Sequence, residues 1–301
     1  MTQFASPFSR RPCLAGLALG VLMASAIAAP ASAEIRLQFQ DRDVARMVSL
    51  GGSCNRCELS GRDLSGAAFT GATFVNATLV GANLRGAELV GSNFSGSDFT
   101  RAELDGAEMT GANFTGADFS HASLSGAEAM GATLVRARFT HADMSGAELN
   151  GANMNGALLN DADLSGAELT AVTLANVSAR SANFSGATIE MSNLANGDFR
   201  SASFESAILN GSRLTGGVFG GTDFEDASMN RTDIRGADLT GARGLSQEQV
   251  SRACGDDSTR LPRNLTVRFC RGVSGVRITP PAPPAPPAPP RVRNFVMASG
   301  R

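Results

Sequence analysis

The sequence predicts a repeat solenoid rather than a conventional globular domain, and three observations support this prediction. A bulky apolar residue recurs at every fifth position from Leu59 to Leu239, and 35 of these 37 positions carry Leu, Phe, Met or Ile. A small residue stands two positions earlier, and 25 of the 35 such positions from Ala67 to Ala237 are Ala. The 301-residue chain contains no Trp and no Tyr, but 34 Gly and 17 Phe. Such self-similarity indicates stacked structural repeats.

The period itself identifies the repeat, because five residues match neither the 3.6-residue helix nor the two-residue strand. Segments such as 112–116 (ANFTG) and 162–166 (ADLSG) closely resemble the A-[D/N]-[L/F]-x-x motif of pentapeptide-repeat proteins. The resemblance covers residues 59 to about 243. It implies an all-β fold, a right-handed quadrilateral β-helix with four pentapeptides per coil. The family is not an enzyme family, so the resemblance implies no catalytic residue.

The bulky and small residues are both expected to face the interior, which leaves a filled core and no ligand channel. The 37 pentapeptides would make about nine coils, and a rod of roughly 45 Å at the ~4.8 Å spacing of adjacent strands. Glycines such as Gly66 and Gly166, two residues after the bulky position, suit corners with unusual backbone angles. The predicted core includes Leu64, Phe69, Phe74, Leu84, Phe94, Phe99, Phe114, Phe119, Leu164, Phe184, Phe199 and Phe224.

Residues 1–33 have the pattern of a secretory signal peptide. Two arginines, Arg10 and Arg11, precede an apolar stretch, and residues 31–33 (Ala-Ser-Ala) form a small-residue cleavage site. Cleavage would start the mature chain at Glu34, in the periplasm or outside the cell, with no stable insertion in a membrane. The arginine pair is also a weak match to a twin-arginine signal, so the export route stays open between Sec and twin-arginine.

Four cysteines remain after this cleavage, and an even number in an exported chain favours disulfides. We expect the pairs Cys54–Cys57 and Cys254–Cys270, one at each end of the rod. A metal site that uses all four cysteines is excluded, because the two pairs would lie at opposite ends of the rod. A redox-active Cys-x-x-Cys at residues 54–57 is the alternative, although no thioredoxin-like pattern surrounds it.

Caps are expected at both ends, because stacked coils leave open edges. Residues 34–58 are predicted to form an N-terminal cap that contains a short helix N-capped by Asp41. Residues 244–273 are predicted to form the C-terminal cap. Within it, Ser246-Gln247-Glu248-Gln249 has the capping-box pattern of a helix that runs to about Cys254, and an irregular closure follows.

Residues 274–301 form a separate proline-rich tail. Eight of the eleven residues from Pro280 to Pro290 are proline, which favours extended polyproline II over ~34 Å at about 3.1 Å per residue. A basic and apolar segment, residues 291–297 (RVRNFVM), follows. The tail is either disordered or a spacer that presents this segment.

Residues 20 apart should stack directly when each coil holds four pentapeptides. In that register the acidic residues form an unbroken column, Glu88, Glu108, Glu128, Glu148 and Glu168. A neighbouring column is polar and uncharged, with Asn93, Asn113, Thr133, Asn153 and Thr173. Like charges about 5 Å apart repel one another. The glutamate column is therefore either a binding face or a solvated surface that arose by duplication of one coil.

The only two histidines, His121 and His141, are predicted neighbours in a column that runs from Arg101 to Asp161. Two imidazoles and a carboxylate can hold a transition metal, but a convex corner offers poor geometry and no supporting outer shell. We therefore predict no metal site and no cofactor, and keep His121, His141 and Asp161 as weak candidates. A convex rod also offers no water-excluding pocket for catalysis.

Charge is segregated along the chain, because residues 59–243 hold 11 Arg against 21 acids and residues 244–301 hold 9 Arg against 3 acids. The leading hypothesis is a non-enzymatic exported scaffold that presents its acidic face to a protein or cell-envelope partner. A homo-oligomer in which the basic end meets the acidic rod is a further option. We expect no nucleic-acid binding.

Two alternatives come from other functional classes. Some relatives in the family mimic the charge and outline of double-stranded DNA and modulate topoisomerases, but an export signal would send this chain away from DNA. Weak Ca²⁺ binding along the glutamate column is the second alternative, since carboxylate oxygens suit this ion. A flat column supplies few ligands to each ion, so only weak binding is expected.

Overall fold

The computed structural model describes residues 52–270. The predicted signal peptide, the cleavage site before Glu34, the N-terminal helix near Asp41 and the proline-rich tail lie outside the described residues.

Residues 52–243 form a repeat β-solenoid with a coil of twenty residues. Parallel β-bridges join residues twenty positions apart, from Ser53 with Thr73 to Asp223 with Arg243. The β-structure of this solenoid consists of such single-residue bridges, and nearly all of the bridged residues stand one position before a bulky residue. Their hydrogen bonds link successive coils, as where the Leu64 amide donates to the Asn83 carbonyl at 2.7 Å. The period-five pattern thus becomes four short β-segments per coil.

Each corner is a tight turn that begins at the bulky residue. The Leu64 carbonyl accepts a hydrogen bond from the Ala67 amide three residues on, at 3.1 Å. The third residue of this turn has φ of 62° at Gly66, the positive value that a type II turn requires and that glycine adopts without strain. Polar residues hold the same conformation elsewhere, including His121 at 60° and Asp161 at 56°.

The interior is filled by the bulky residues and by the small residues two positions before them. All twelve predicted core residues are buried, each at 2% exposure or less. Phenylalanine rings stack from coil to coil. The ring centroids of Phe74 and Phe94 lie 4.9 Å apart, those of Phe94 and Phe114 5.7 Å, and those of Phe99 and Phe119 4.7 Å. Repetition of the same side chain every twenty residues therefore produces continuous aromatic stacks.

Buried hydroxyls replace the small alanine at several positions and tie neighbouring coils together. Ser97 Oγ donates to the Phe74 carbonyl at 2.6 Å and accepts from the Ala77 amide at 3.0 Å, both in the preceding coil. Among the described residues, no buried side-chain nitrogen or oxygen lacks a hydrogen-bond partner. These polar groups therefore enter the core without a large desolvation cost. The buried set comprises Ser92, Ser97, Ser192, Ser212, Thr222 and Thr232.

The interior is less completely filled near Ala129, which stands where other coils carry a bulky residue. An apolar cavity of about 10 Å³ lies beside this alanine. Flexible Met109 and Met144 and the Phe139 ring line it. The missing side-chain volume is thus only partly recovered by neighbours.

A short helix, α1 (Gln247–Arg252), closes the C-terminal end. It begins with the predicted capping box, in which the Gln249 amide donates to Ser246 Oγ at 3.3 Å and the Ser246 amide donates to Gln249 Oε1 at 2.6 Å. The helix ends at Arg252, earlier than predicted, because Cys254 leaves it to form a β-bridge with Asp233.

The segment after α1 is more regular than the irregular closure that we predicted. Arg260 forms a parallel bridge with Asp238, and Gly255 forms one with Phe269. These bridges arise because the last coil leaves backbone groups open along its edge, and the following chain pairs with them. Among the described residues, no helix has the length and apolar character needed to cross a membrane.

Candidate functional site

Five glutamates form one column along the solenoid, and we name this column the Glu ladder. Its successive members are joined by parallel β-bridges, so their Cα atoms lie about 4.8 Å apart. Each glutamate precedes an inward-facing residue and therefore points outward. Glu148 is half-buried and the others are exposed. The ladder consists of Glu88, Glu108, Glu128, Glu148 and Glu168.

The outward position that the ladder occupies has a structural role in other columns. Asp98 Oδ1 accepts from the Thr100 amide at 2.9 Å and from its hydroxyl at 2.6 Å. Asn113 Oδ1 accepts the equivalent bonds from Thr115 at 3.0 and 2.7 Å. A short Asp or Asn side chain thus holds the following turn, which explains the preference for these residues in the repeat.

The ladder glutamates do not hold their turns in this way. Within residues 52–270, Glu58 Oε1 does accept from the Ser60 amide at 2.9 Å, but no ladder carboxylate forms such a bond. Glu168 Oε2 accepts a bond from Asn150 Nδ2 at 3.2 Å, the one side-chain hydrogen bond to the ladder in this range. The ladder carboxylates are therefore largely available to groups outside the solenoid.

Within residues 52–270, arginine forms ion pairs with several acidic groups outside the ladder, but with none of the ladder glutamates. Asp198 lies between two guanidinium groups, with Arg180 Nε at 2.6 Å and Arg200 Nη2 at 2.7 Å. Arg85 pairs with Glu103 and Asp105 at 3.4 and 3.0 Å. Among the described residues, no arginine forms an ion pair with a ladder carboxylate. The ladder is thus a negative surface that its own solenoid leaves uncompensated.

A second outward column lies beside the ladder, two residues further along each segment. At its centre Met130, two residues after Glu128, is 38% exposed. We call the two columns together the ladder face, which combines carboxylates with an apolar side chain. The second column consists of Val90, Thr110, Met130, Asn150 and Thr170.

The predicted neutral column stacks as expected, through successive β-bridges. Its asparagines hold the following turns: Asn93 Oδ1 accepts from the Ser95 amide and Asn153 Oδ1 from the Asn155 amide, both at 3.1 Å. Its members are Asn93, Asn113, Thr133, Asn153 and Thr173.

Hydrogen bonds from neighbours depress the pKa of several aspartates. The Arg200 guanidinium, supported by Arg180, holds the pKa of Asp198 well below its ordinary value, against the opposing effect of partial burial. The Ser258 hydroxyl is the main group that lowers the pKa of Asp256 to about 2, and the Gly236 amide adds to it. These aspartates stabilise the solenoid in their charged form.

The two histidines are neighbours, as the register predicts. The ring centroids of His121 and His141 lie 5.0 Å apart with planes inclined by 19°, and both side chains are exposed at a corner. Asp161 occupies the next corner in the same column. Within the described part of the chain, no group of three or more His, Cys, Asp or Glu side chains is arranged to hold a metal ion.

The four cysteines form the two predicted disulfides. Cys54–Cys57 joins two inward positions across one corner, and Cys254–Cys270 ties the end of the described chain to the second residue after α1. Because all four sulfurs are used in this way, they do not form a metal site.

An open cleft between the last coil and α1 was not predicted from the sequence. Its volume is about 360 Å³, and acidic side chains, among them Glu225 and Asp226, line it. On the side of the cleft formed by α1, Glu248 Oε1 forms an ion pair with Arg252 Nη2 at 2.6 Å. The capping box at Ser246 was the signal that could have placed α1 against the last corner.

Comparison with solved structures finds several pentapeptide-repeat proteins. HetL, involved in heterocyst differentiation regulation in Nostoc sp. strain PCC 7120, is 26% identical, with 73% of this chain and 98% of HetL covered and a TM-score of 0.46. QnrB1, a plasmid-mediated fluoroquinolone resistance protein, is 21% identical over 68% of this chain and 94% of its own, with a TM-score of 0.39. A protein of the Arabidopsis thaliana thylakoid lumen is 33% identical over 36% of this chain and 71% of its own, with a TM-score of 0.28.

A search of curated protein sequences finds no match. The family model described as pentapeptide repeats matches the chain in eight copies, which together run without a gap from residue 53 to residue 243. This range is well over half of the chain and coincides with the twenty-residue coils. The protein belongs to the pentapeptide-repeat family.

Proposed function

We propose that this protein is a non-enzymatic, exported scaffold that binds a basic protein partner through the ladder face. Pentapeptide-repeat proteins are generally non-enzymatic structural or interaction modules, and the matched family is not a catalytic one. The observation that carries the proposal is that the ladder carboxylates have almost no partners within the described solenoid. Unlike Asp98 and Asn113 at equivalent positions, they do not form the turn-holding bond, and unlike Asp198 they have no ion pair with arginine.

We further infer that the solenoid is a right-handed quadrilateral β-helix of about nine coils, as is typical of the twenty-residue register. The signal-like residues 1–33 and the two disulfides support export, because disulfides persist in oxidising compartments.

Five exposed or half-exposed charges at a spacing of about 4.8 Å create a local negative potential without any concave site. A partner that carries arginines or lysines along an extended segment would meet several carboxylates at once. Because the surface is open to water, its attraction should weaken strongly as salt rises above physiological ionic strength. This predicts fast, salt-dependent association rather than enzymatic turnover.

The test compares two triple variants with the same change in net charge. E108K/E128K/E148K reverses the ladder, whereas E58K/E205K/E225K reverses exposed glutamates outside it. The probes are a hexa-arginine peptide and the proteins that co-purify from an envelope extract. We expect the ladder variant to lose binding of both and the control variant to keep it. Unchanged binding by the ladder variant would overturn the proposal, provided that thermal unfolding shows both variants to be folded.

DNA mimicry is a second candidate, favoured by the excess of 21 acids over 11 Arg in residues 59–243. Arginine pairing on other faces counts against it, since a duplex presents two continuous rows of phosphates. We expect no effect of the protein on DNA supercoiling by gyrase. Inhibition at sub-micromolar protein would favour this candidate over the first.

A further inference from the structure

We propose that the basic segment 291–297 of this chain binds the ladder face, so that the protein's own C-terminus competes with an outside basic partner. The proposal rests on the proposed function, because it names an occupant and a form of regulation for the same surface. Three observations carry it: the distribution of charge, the length of chain beyond Cys270, and the match of side chains between segment and face.

Charge complementarity is the first observation. Residues 271–301 contain five Arg and neither Asp nor Glu. The ladder is an unbroken column of five acids, and none of its carboxylates has an arginine partner among the described residues. Elsewhere on the solenoid, arginines already pair with nearby acids, as Arg138 does with Asp118 at 3.2 Å. The C-terminal segment thus carries positive charge without any acid of its own, and the ladder carries five carboxylates without an arginine partner among the described residues.

The reach of the chain is the second observation. Cys270 is held at the C-terminal end by its disulfide to Cys254. The ladder column continues from Glu128 to Ser228 in five bridge steps, about 24 Å along the axis at ~4.8 Å per step. In the polyproline II conformation expected from its sequence, the Pro280–Pro290 spacer would extend over about 34 Å, and the nine residues before it can span up to about 30 Å. Arg291 can therefore reach the middle of the ladder.

The pattern of side chains is the third observation. In an extended chain, alternate residues point to the same side, so Arg291, Arg293 and Phe295 would share one side. Each of these three residues would lie about 6.6 Å from the next. Each guanidinium can then bridge two ladder carboxylates, which lie closer together than the arginines do. Phe295 follows on the same side, and the ladder face offers the exposed Met130 beside Glu128. A basic segment with one apolar anchor thus meets an acidic face with one apolar residue.

The experiment measures binding of a synthetic peptide of residues 287–301 to full-chain variants in low salt. In the wild type the attached segment competes at an effective concentration on the order of 1 mM, so we expect the added peptide to bind about tenfold more weakly than to R291E/R293E. R271E/R277E makes the same charge change outside the segment and should bind the peptide as the wild type does. Adding E108Q/E128Q/E148Q to R291E/R293E should abolish peptide binding.

Several results would overturn the proposal. Equal peptide affinity of the wild type and R291E/R293E would show that the attached segment does not occupy the face. Peptide binding that survives E108Q/E128Q/E148Q would place the site elsewhere. A wild-type dimer that R291E/R293E converts to a monomer would show that the segment binds a second copy.

A hexa-arginine probe separates the failure of this proposal from that of the proposed function. If hexa-arginine binds R291E/R293E through the ladder and the peptide does not, the C-terminal segment is not the occupant but the face still binds basic partners. If neither ligand binds, both proposals fail.

Discussion

At the scale of single residues, the position before each bulky residue decides how its corner is held. The side-chain oxygen of Asp or Asn accepts a hydrogen bond from the amide two residues later in the chain, as in Asp98 and Asn113, and this bond fixes the turn. Glutamate carries one more methylene group, and in the ladder it forms no such bond. The same position in the repeat therefore serves structure in some columns and leaves free carboxylates in another.

The first prediction concerns this turn-holding role. Asn113→Ala removes the acceptor for the Thr115 amide and hydroxyl, and should lower the free energy of unfolding by about 1 kcal/mol. Glu108→Ala, at an equivalent position without that bond, should change it by less than about 0.5 kcal/mol. Urea unfolding of the two variants measures the difference. Equal effects would contradict the assigned role.

The second prediction is a pH dependence at Asp256. Its pKa is about 2 in the folded protein, against about 3.9 for an unfolded aspartate. The folded state therefore gains stability above pH 4 and loses this gain as the pH falls toward 2. Asp256→Asn should lower the melting temperature at pH 7, and the difference from the wild type should vanish near pH 2. A difference that stayed constant over this range would refute the charge-based explanation.

At the scale of structural elements, α1 closes the solenoid through one side chain. Gln249 Oε1 accepts from Ser246, and Gln249 Nε2 donates to the carbonyls of Phe224 and Ala227 at 2.7 and 2.9 Å. Val250 of the same helix is fully buried. The helix thus satisfies backbone carbonyls at the end of the last coil while it covers apolar surface.

The third prediction follows from this contact. Gln249→Glu keeps the shape of the side chain but removes the amide donor and places a carboxylate against two carbonyls. We expect a loss of about 1–3 kcal/mol in the free energy of unfolding. The control Glu248→Gln lies on the exposed side and removes only the surface ion pair with Arg252, which contributes at most about 1 kcal/mol. Denaturant unfolding should rank the two variants in that order.

The fourth prediction concerns the solenoid interior. Ala129→Leu restores the bulky residue that neighbouring coils carry. Because the cavity of about 10 Å³ is smaller than the added side chain, flexible Met109 and Met144 must repack to admit it, and stability should then rise by about 0.5–1 kcal/mol. Leu149→Ala, one coil further in the same column, should cost about 2–5 kcal/mol. Thermal unfolding compares both variants with the wild type. Destabilisation by Ala129→Leu would show that the methionines already occupy the volume it needs.

At the scale of the whole molecule, the acidic solenoid and the basic C-terminal residues define the functional proposals. Residues 59–243 hold 11 Arg against 21 acids, and the 58 residues from 244 to 301 hold 9 Arg against 3 acids. Such segregation favours attraction to a basic partner or to the chain's own C-terminus. Which of these dominates depends on the compartment, because the compartment sets the available partners.

The fifth prediction addresses that compartment. We expect cell fractionation and mass spectrometry to find a periplasmic or secreted chain that begins at Glu34 and carries four oxidised cysteines. A cytosolic chain that begins at Met1 with free thiols would contradict export, and it would move the DNA-mimic candidate ahead of the envelope scaffold.

The period-five pattern determined the repeat and its buried residues, and the resemblance to pentapeptide-repeat proteins supplied the coil of four pentapeptides that defines the vertical neighbours. Once this register is known, residues twenty apart must stack, so the Glu ladder and the pair His121 and His141 followed from position alone. The disulfide pairs were predicted instead from the even number of cysteines and their places at the two ends. The interior could be assigned for the same reason, because every coil repeats one inward pattern.

Only the tertiary structure decided which polar groups are already in use. Whether a carboxylate is free depends on the rotamer it adopts and on the arginine in the adjacent coil, as Asp198 between Arg180 and Arg200 illustrates. The early end of α1 at Arg252 and the pairing of Cys254 with Asp233 likewise depend on the open edge of the last coil. Periodicity specifies which residues are neighbours, but hydrogen-bond geometry in three dimensions determines which of them bind each other and which remain available to a partner.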